Sequence, residues 1–362
     1  MVEQVLHAYG ISGNISIVPF GNGLINRTWK IEDGENNFIL QKINTQVFKH
    51  PEFISENIHA IADFLQHYYP KYFFLTPCKT ISGKDLIVIK NEGYYRMFPF
   101  IKNSHTIDEA ENASQTYEAA KKFGELTRLL SSYPVNELKI TLPDFHNISL
   151  RYKDFLHAKQ SGMKERIAKA NDLIQFLESQ KNIVDEFEKI KSSKAFKLRV
   201  THHDTKINNV LFNDEEKGIC VIDLDTLMPG YFISDVGDMI RTCLPSVSEE
   251  EKDITKICIR EEIFVAAAEG YLSEMHNELS EEELNSFVYA GKFMIYMQAL
   301  RFLSDYLNND IYYGSAYEGH NFYRASNQAH LLKLLIQKEK EFSAIVLDVA
   351  KKRRRGLNYQ PL

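Results

Sequence analysis

The sequence predicts an α+β protein of two lobes: a small β-rich lobe at residues 1–101 and a larger, mostly helical lobe at residues 102–362. Short apolar segments separated by polar or glycine-containing turns, the pattern of β-strands, are concentrated in the first lobe. From Ser114 onward, apolar residues recur every three or four positions, which is the spacing of amphipathic helices. We therefore expect the boundary between the lobes at residues 99–102.

The small lobe is expected to be a sheet accompanied by one helix. Five of its segments have the composition of strands, or of turns leading into strands: residues 15–18, 20–31, 38–43, 86–89 and 94–98. After the third of these, the apolar residues of Pro51–Tyr68 follow helical spacing.

The large lobe shows helical spacing in five segments: residues 117–130, 164–187, 248–275, 280–307 and 321–349. Ser280 and Glu283 predict a capping box at the start of the fourth helix, because each side chain can bond the other residue's backbone N–H. Residues 210–212 and 219–222 are apolar and flank a polar stretch that ends in Gly218. That pattern predicts a β-hairpin within the helical lobe.

The hairpin brings chemistry-bearing side chains together. Asn209 enters it and Asp223 leaves it, so the two side chains can converge on one cation. Amide and carboxylate oxygens are hard ligands of the kind that Mg²⁺ prefers. Asp204 lies one loop earlier and need not ligate a metal, so it is the better candidate for a catalytic base. The spacing from Asp204 to Asn209 is that of a kinase catalytic loop.

Residues 202–211 and 221–225 together resemble the catalytic motif of the aminoglycoside phosphotransferase/choline kinase superfamily. The usual loop of that family is His-Gly-Asp-x-x-x-x-Asn-x-Leu, and this chain has His203 where Gly is common. Within the superfamily, residues 204–212 and 222–230 most resemble N-acetylhexosamine 1-kinases. The resemblance runs from about Gly21 to about Gln328 and implies a protein-kinase-like two-lobed fold that uses ATP and Mg²⁺.

On the nucleotide side, Gly21 and Gly23 resemble part of a glycine-rich phosphate loop, in which backbone N–H groups approach phosphate oxygens. Asn26 stands where the family commonly has Asn in this loop. Phe98 and Phe100 lie in a segment that resembles the strand and hinge that receive adenine, although ordinary core aromatics would look the same.

The cation that should pair with the phosphates is ambiguous. Related kinases often carry Lys or Arg directly after the Leu of the third strand, but Gln41 stands there and Lys42 follows. A one-residue step reverses the face of a strand, so either a bulge brings Lys42 inward or Gln41 acts more weakly through hydrogen bonds. Glu56 in the following helix is the expected partner of the cation, or else a surface charge.

The acceptor must lie beside Asp204, and Lys206 can neutralise charge on the transferred phosphoryl group. The resemblance implies that Arg241, Tyr312 and Arg324 face the acceptor. Arg301 and Asp305 lie four residues apart on one face of a predicted helix, and they are either further acceptor-binding candidates or a surface pair. It also implies phosphorylation of the anomeric hydroxyl of N-acetylglucosamine or N-acetylgalactosamine. Choline, homoserine, methylthioribose and aminoglycosides are alternative acceptors, and a catalytically silent nucleotide-binding module is an alternative of another class.

Bulk properties suit a cytoplasmic enzyme. The net charge of −6 argues against nucleic acid as a partner, and no apolar run is long enough to predict a membrane span. The start of the chain lacks the pattern of a signal peptide. Four scattered cysteines predict neither disulfides nor a zinc site. We expect a small-molecule sugar as the partner and a monomer or weak homodimer as the assembly.

Overall fold

The computed structural model describes residues 2–13, 15–21, 25–34 and 36–356. The small lobe contains a five-stranded antiparallel sheet in the order β1-β2-β3-β5-β4. Its strands are β1 (Ser16–Pro19), β2 (Arg27–Asp33), β3 (Asn36–Ile43), β4 (Ile87–Ile89) and β5 (Gly93–Pro99). The predicted sheet is therefore confirmed, and with the helical second lobe it confirms the α+β class.

The two faces of this sheet have different neighbours because side chains alternate along a strand. The outer face packs against the short helix α1 (Val2–Ala8), where Val5 and Leu6 join Leu40 and Met97 in a small apolar core. The opposite face carries Ile39 and Phe98, which belong to a separate apolar cluster with Cys220 of the second lobe. This second face is therefore the one that meets the large lobe.

Helix α2 (Pro51–Tyr68) begins with Pro at its first position, where the missing N–H costs nothing. Its buried apolar residues, including Ile54, Ile58 and Ile61, belong to the main core of the molecule, together with the helices of the second lobe. The helix is thus anchored to the large lobe.

The described helices of the large lobe are α3 (Ala113–Leu129), α4 (Ile148–Ser161), α5 (Lys164–Lys169), α6 (Asn171–Ser179), α7 (Asn182–Ser192), α8 (Phe232–Cys243), α9 (Glu261–Met275), α10 (Glu281–Asn285), α11 (Phe287–Leu307) and α12 (His320–Arg354). Helix α11 is central, with 18 of its 21 residues buried, as a helix that is apolar on all sides should be. It crosses α8 closely at Gly237, where an added Cβ would lie 2.3 Å from the carbonyl oxygen of Ala290. A larger residue there would force the two helices apart.

Three predicted helices of the large lobe were wrong in extent. Residues 280–307 are divided at Ser286 into α10 and α11. Residues 164–187 fall in three helices, because the chain turns at Ala170 and again near Gln180 without any Gly or Pro to mark the turns. The helix predicted at 248–275 begins only at Glu261. The residues before it are held in an irregular path by Asn327 of α12, which donates to the carbonyl oxygens of Ser248 and Glu251.

Other predictions for this lobe are confirmed. Ser280 and Glu283 form the predicted capping box at the start of α10. Short strands frame the site: β6 (Arg199–Thr201) pairs with β9 (Met228–Gly230), and β7 (Val210–Phe212) pairs with β8 (Gly218–Val221) in the predicted hairpin. Within the described ranges, none of the helices is both long enough and apolar enough to cross a bilayer.

Candidate active site

The β7–β8 hairpin sets the first pair of functional residues side by side. Val210 and Val221 are partners in its register, and the N–H of Ile222 donates to the carbonyl oxygen of Asn209 at 2.8 Å. Asn209 and Asp223 therefore leave the open end of the hairpin next to each other, as the sequence predicts.

The loop that carries Asp204 is held by hydrogen bonds to Asp235, in the first turn of α8. The carboxylate of Asp235 accepts from the backbone N–H of His202 at 3.0 Å and of His203 at 2.7 Å. Its backbone carbonyl oxygen accepts from the hydroxyl of Thr205 at 2.6 Å. Burial raises the pKa of Asp235 to about 7, and the two N–H donors oppose that rise. The loop is thereby pinned on both sides of Asp204.

The carboxylate of Asp204 lies between an ammonium and an amide. Its Oδ1 is 3.0 Å from Nζ of Lys206, and its Oδ2 accepts from Nδ2 of Asn209 at 3.0 Å. Burial alone would raise the pKa of Asp204, but Lys206, His202 and Asn209 outweigh burial and lower it. A quarter of the side chain remains open to solvent, so a substrate hydroxyl can reach the ionised carboxylate.

Asp223 has the properties of a metal ligand. Its backbone is left-handed, with φ of 55°, and burial with the nearby Asp225 and Asp204 carboxylates raises its pKa to about 7. Nδ2 of Asn209 is used by Asp204, so the amide oxygen of Asn209 is available for a cation. A divalent cation fits this set of oxygens and would relieve the carboxylate repulsion.

A metal here would share its coordination with another molecule. In the part of the chain that the structure describes, no group of three or more His, Cys, Asp or Glu side chains is arranged to hold a metal. Mg²⁺ in phosphoryl-transfer enzymes takes one or two protein ligands and completes its shell with phosphates and waters. The donor set therefore matches a metal–nucleotide site better than a closed protein site.

His203 occupies the position where the superfamily commonly has Gly. The backbone conformation at this position explains that preference. Its φ is 65°, in the left-handed region that favours Gly. The ring packs between Thr201, whose Oγ1 is 2.8 Å from Nε2, and His146, whose Nδ1 is 3.4 Å from Nδ1 of His203. Gly230 faces this ring, and a Cβ there would lie 2.5 Å from its Cε1.

The glycine-rich loop is described only in part. Gly21 has φ of 77°, whereas Gly23 lies outside the described residues. Asn26 reaches across to the large lobe and donates to Oδ2 of Asp225 at 2.8 Å. Its own Oδ1 accepts from the N–H of Asn44 at 3.0 Å. Asn26 thus ties the phosphate-loop segment to the residues that follow Asp223.

The β3 position expected to hold a cation carries Gln41, and the β2–β3–β5 register runs through it without a bulge. Lys42 therefore points to the opposite face of the sheet, where its Nζ is 3.6 Å from Glu92. Gln41 faces the large lobe, and its Oε1 accepts from Nε and Nη2 of Arg96 at 3.0 and 2.8 Å. Glu56 is exposed on α2 and forms no ion pair among the described residues. The structure brings neither Lys42 nor Glu56 to the cleft.

Phe98 and Phe100 mark the apolar part of the cleft. Phe98 is buried in the cluster that joins the lobes. The Phe100 ring lies edge-on to Phe20, with centroids 6.1 Å apart, and Nζ of Lys30 is 4.8 Å from its centroid. The N–H of Phe100 already donates to the carbonyl oxygen of Asn37 at 2.9 Å. The predicted hinge thus offers apolar and aromatic surface, and the Phe100 N–H is used within the protein.

Comparison with known proteins identifies the family. A sequence model described as the phosphotransferase enzyme family matches residues 16–255, more than half of the chain. The chain belongs to this phosphotransferase family.

Solved structures agree on the fold. This chain is similar to the microcompartment-associated aminopropanol kinase, with 15% identity, a TM-score of 0.65, and coverage of 94% of this chain and 98% of that one. A spectinomycin phosphotransferase in complex with ADP and spectinomycin is 14% identical, with a TM-score of 0.59 and coverage of 93% of this chain and 97% of that one. An amicoumacin kinase in complex with AMP-PNP and Ca²⁺ is 14% identical, with a TM-score of 0.60 and coverage of 100% of this chain and 94% of that one. The predicted kinase-like fold is confirmed.

Arg241, in the last turn of α8, is paired with two carboxylates. Its Nη2 donates to Oδ1 of Asp238 at 3.0 Å, and its Nη1 donates to Oε2 of Glu249 at 2.9 Å. Burial raises the pKa of Asp238 while Arg241 opposes that rise, and Asp204 and Lys206 lie close enough to contribute. Oδ2 of Asp238 is buried and has no hydrogen-bond partner among the described groups.

Two further arginines lie nearby. Arg324 also binds Glu249, and its guanidinium lies 3.8 Å from the centroid of the Phe302 ring. Arg301 donates from Nη1 to Oε1 of Gln298 at 3.2 Å, and its guanidinium lies 5.4 Å from the ring centroid of Tyr313. Within the described ranges, Arg301 has no carboxylate partner. Its charge is therefore available to a ligand.

Asp305 binds backbone groups within the protein, and Tyr312 lies at the surface. Asp305 is buried and accepts from the N–H of Tyr312 at 2.7 Å and of Tyr313 at 2.9 Å. The carboxylate thus holds the loop that follows α11. The Tyr312 side chain is 74% exposed and lies beside the Tyr313 ring.

Sequence reasoning did not single out several residues of the site: Arg96, His146, Asp225, Asp238 and Glu249. Asp225 lies two positions after Asp223, and Asp238 lies three positions before Arg241, so both could have been found as acidic residues next to predicted ones. Arg96 lies two residues before Phe98 in the same strand, and hence on the cleft face of the sheet. His146 and Glu249 come from irregular segments, where no period indicates which side chains face the site.

Proposed function

We propose that this phosphotransferase transfers the γ-phosphoryl group of ATP, with Mg²⁺, to the anomeric hydroxyl of an N-acetylhexosamine such as N-acetylglucosamine or N-acetylgalactosamine. The observation that carries the phosphoryl-transfer step is the arrangement of Asp204 between Lys206 and Asn209, with Asp223 beside them.

Asp204 orients the attacking hydroxyl by accepting its hydrogen bond. Its lowered pKa makes it a weak base, which suits a loose transition state in which the proton leaves late. Lys206 neutralises charge on the phosphoryl oxygens as they pass between nucleotide and acceptor. Asn209 and Asp223 would hold Mg²⁺, which supplies charge neutralisation on the phosphates when bound.

The charges around the acceptor position favour a neutral sugar over a cationic amino alcohol. Asp238 and Glu249 are already paired with Arg241, and Glu249 also binds Arg324. Arg301 brings a cation without a carboxylate partner in the described structure. A choline or aminopropanol cation would meet this positive charge. Guanidinium N–H groups and tyrosine rings instead suit sugar hydroxyls, an amide carbonyl and the apolar face of a sugar ring.

An acceptor panel tests the proposal. Purified protein with ATP and Mg²⁺ is offered N-acetylglucosamine, N-acetylgalactosamine, choline, 1-amino-2-propanol, homoserine, methylthioribose and an aminoglycoside, and ADP release is followed. We expect turnover with the N-acetylhexosamines, with phosphate at C1 of the product by ³¹P NMR. Turnover confined to amino alcohols or antibiotics would leave the phosphotransferase family intact and reject the sugar assignment.

Asp204→Ala is the catalytic control for the panel. The variant loses the group that orients the acceptor but keeps Asn209 and Asp223, so ADP binding by calorimetry should persist while turnover falls by at least about 10³-fold. Undiminished turnover in this variant would exclude Asp204 from the reaction.

A further inference from the structure

We propose that Arg96 of β5 is the cation that binds the nucleotide's phosphates in this protein, in place of a cation on β3. The inference rests on the proposed use of ATP. It concerns a position that neither the motif spacing nor the family resemblance indicates.

Arg96 stands beside the expected position in the sheet. Gln41 and Arg96 are cross-strand partners in the β3–β5 register, so both side chains project from the same face toward the large lobe. Nε and Nη2 of Arg96 both donate to Oε1 of Gln41. Gln41 therefore orients the guanidinium. The basic side chain beside Gln41 on this face is carried by β5, next to the β3 position where it was expected.

The guanidinium lies beside the acidic residues that follow the β7–β8 hairpin. Nη2 of Arg96 is 2.5 Å from Oδ1 of Asp225, and both side chains are only 3% exposed. Arg96 is also close enough to Asp223 to favour the ionised form of that carboxylate. Asn26, from the phosphate-loop segment, binds the other oxygen of Asp225. Arg96 thus lies where the phosphate loop, the β3 position and the metal-ligand candidate converge.

Arg96 also retains an unused donor group. Its Nη1 is buried and has no hydrogen-bond partner among the described residues. Leaving a buried charged donor unpaired is costly, and such a group in a site marks a position where a ligand acceptor fits. Phosphate oxygens are the acceptors that a planar guanidinium binds best.

Other cations of the small lobe are less suited to this role. Lys42 lies on the far face of the sheet near Glu92. Lys30 lies on the cleft face, but its Nζ is 2.8 Å from Glu32 and faces the Phe100 ring. Among the described basic side chains of β2, β3 and β5, Arg96 is the one that pairs with Asp225, two residues after Asp223.

Arg96→Met tests the assignment through nucleotide affinity. We expect Kd for Mg·ADP and KM for ATP to rise at least about tenfold, with KM for the acceptor within about twofold of wild type. Arg96→Met combined with Gln41→Lys supplies a cation from β3 and should recover most of the lost affinity. A larger rise in KM for ATP from Lys42→Ala than from Arg96→Met would overturn the assignment.

Arg199→Met is the matched control, because the Arg199–Glu283 pair is as buried as the Arg96–Asp225 pair, with side chains 4% and 0% exposed. Both variants leave a buried carboxylate unpaired and should lose stability. Only Arg96→Met should weaken nucleotide binding. The two variants could lose stability alike and both bind Mg·ADP as wild type does. In that case Arg96 only stabilises the contact between the lobes, and the inference is wrong.

A second pair of variants covers the case in which Arg96→Met does not fold. Arg96→Gln with Asp225→Asn removes both charges, and it is compared with Asp225→Asn alone. We expect the double variant to bind Mg·ADP at least about fivefold more weakly than the single variant, and equal binding would reject the assignment. A wild-type protein that binds no nucleotide would instead overturn the proposed function itself.

Discussion

Replacement of His203 by Gly should make the protein markedly less sensitive to acid. Burial, together with the neighbouring His202, lowers the pKa of His203 from an ordinary value of 6.5 to about 4. In the unfolded chain this imidazole takes up a proton as pH falls below about 6.5, while in the folded protein it stays neutral until about pH 4. The unfolded state therefore binds more protons in this window, and stability is lost as pH falls through it.

The magnitude follows from the two pKa values. Linkage between an unfolded pKa of 6.5 and a folded pKa of about 4 gives a loss of about 2 kcal/mol on going from pH 7 to pH 5. The partners at Thr201 and His146 do not compensate the charge of a protonated ring, because one is a neutral hydroxyl and the other is a second imidazole. His203→Gly removes this loss and adopts φ of 65° without strain.

Urea unfolding of wild type and His203→Gly at pH 7 and pH 5 measures the effect. At pH 7, His203→Gly relieves the left-handed strain but also loses a packed ring, and these two effects on stability oppose each other. The diagnostic quantity is therefore the change in unfolding free energy between pH 7 and pH 5. His203→Asn, which also tolerates positive φ and does not titrate, should reproduce it. If both variants lose as much stability as wild type between pH 7 and pH 5, the buried neutral imidazole does not account for the acid sensitivity.

Two other perturbations probe the supports of the site. Asn57→Ala removes an amide that donates to the carbonyl oxygens of Lys139 and Leu227 and accepts from the N–H of Lys139, so unfolding free energy should fall by about 2–4 kcal/mol in urea melts; a loss within experimental error would show that water replaces these bonds. Asp235→Asn puts an amide N–H₂ against two backbone N–H donors and should lower kcat at least about tenfold with little change in KM for ATP; unchanged kcat would mean that the loop keeps its shape without Asp235.

The catalytic hairpin could be predicted because its information is local. Asp204, Asn209 and Asp223 lie within one short stretch, and the alternation of apolar strands with a polar turn shows how they meet. The capping box at Ser280 and Glu283 is local in the same sense. In each case the interacting groups lie on one element or on two consecutive ones, so their spacing determines their proximity.

The links between the lobes could not be predicted in this way. Asn26 and Asp225 are 199 positions apart, and no period in either segment indicates that they meet. The ambiguity at Gln41 and Lys42 was visible in the sequence, but its resolution by Arg96 needed the strand order, which places β5 beside β3. The breaks within residues 164–187 were missed because the apolar spacing continues through them.

These long-range links place the lobe interface immediately after Asp223. Asp225 accepts from Asn26 and pairs with Arg96, and the carbonyl oxygen of Leu227, two residues further, accepts from Asn57 of α2. In a kinase with a Lys–Glu pair, the helix is coupled to the sheet by charge within the small lobe. Here sheet and helix are each tied separately to the segment 225–227 of the large lobe. The contacts that join the small lobe and α2 to the large lobe thus fall within four residues of Asp223, the metal-ligand candidate, whose backbone is left-handed.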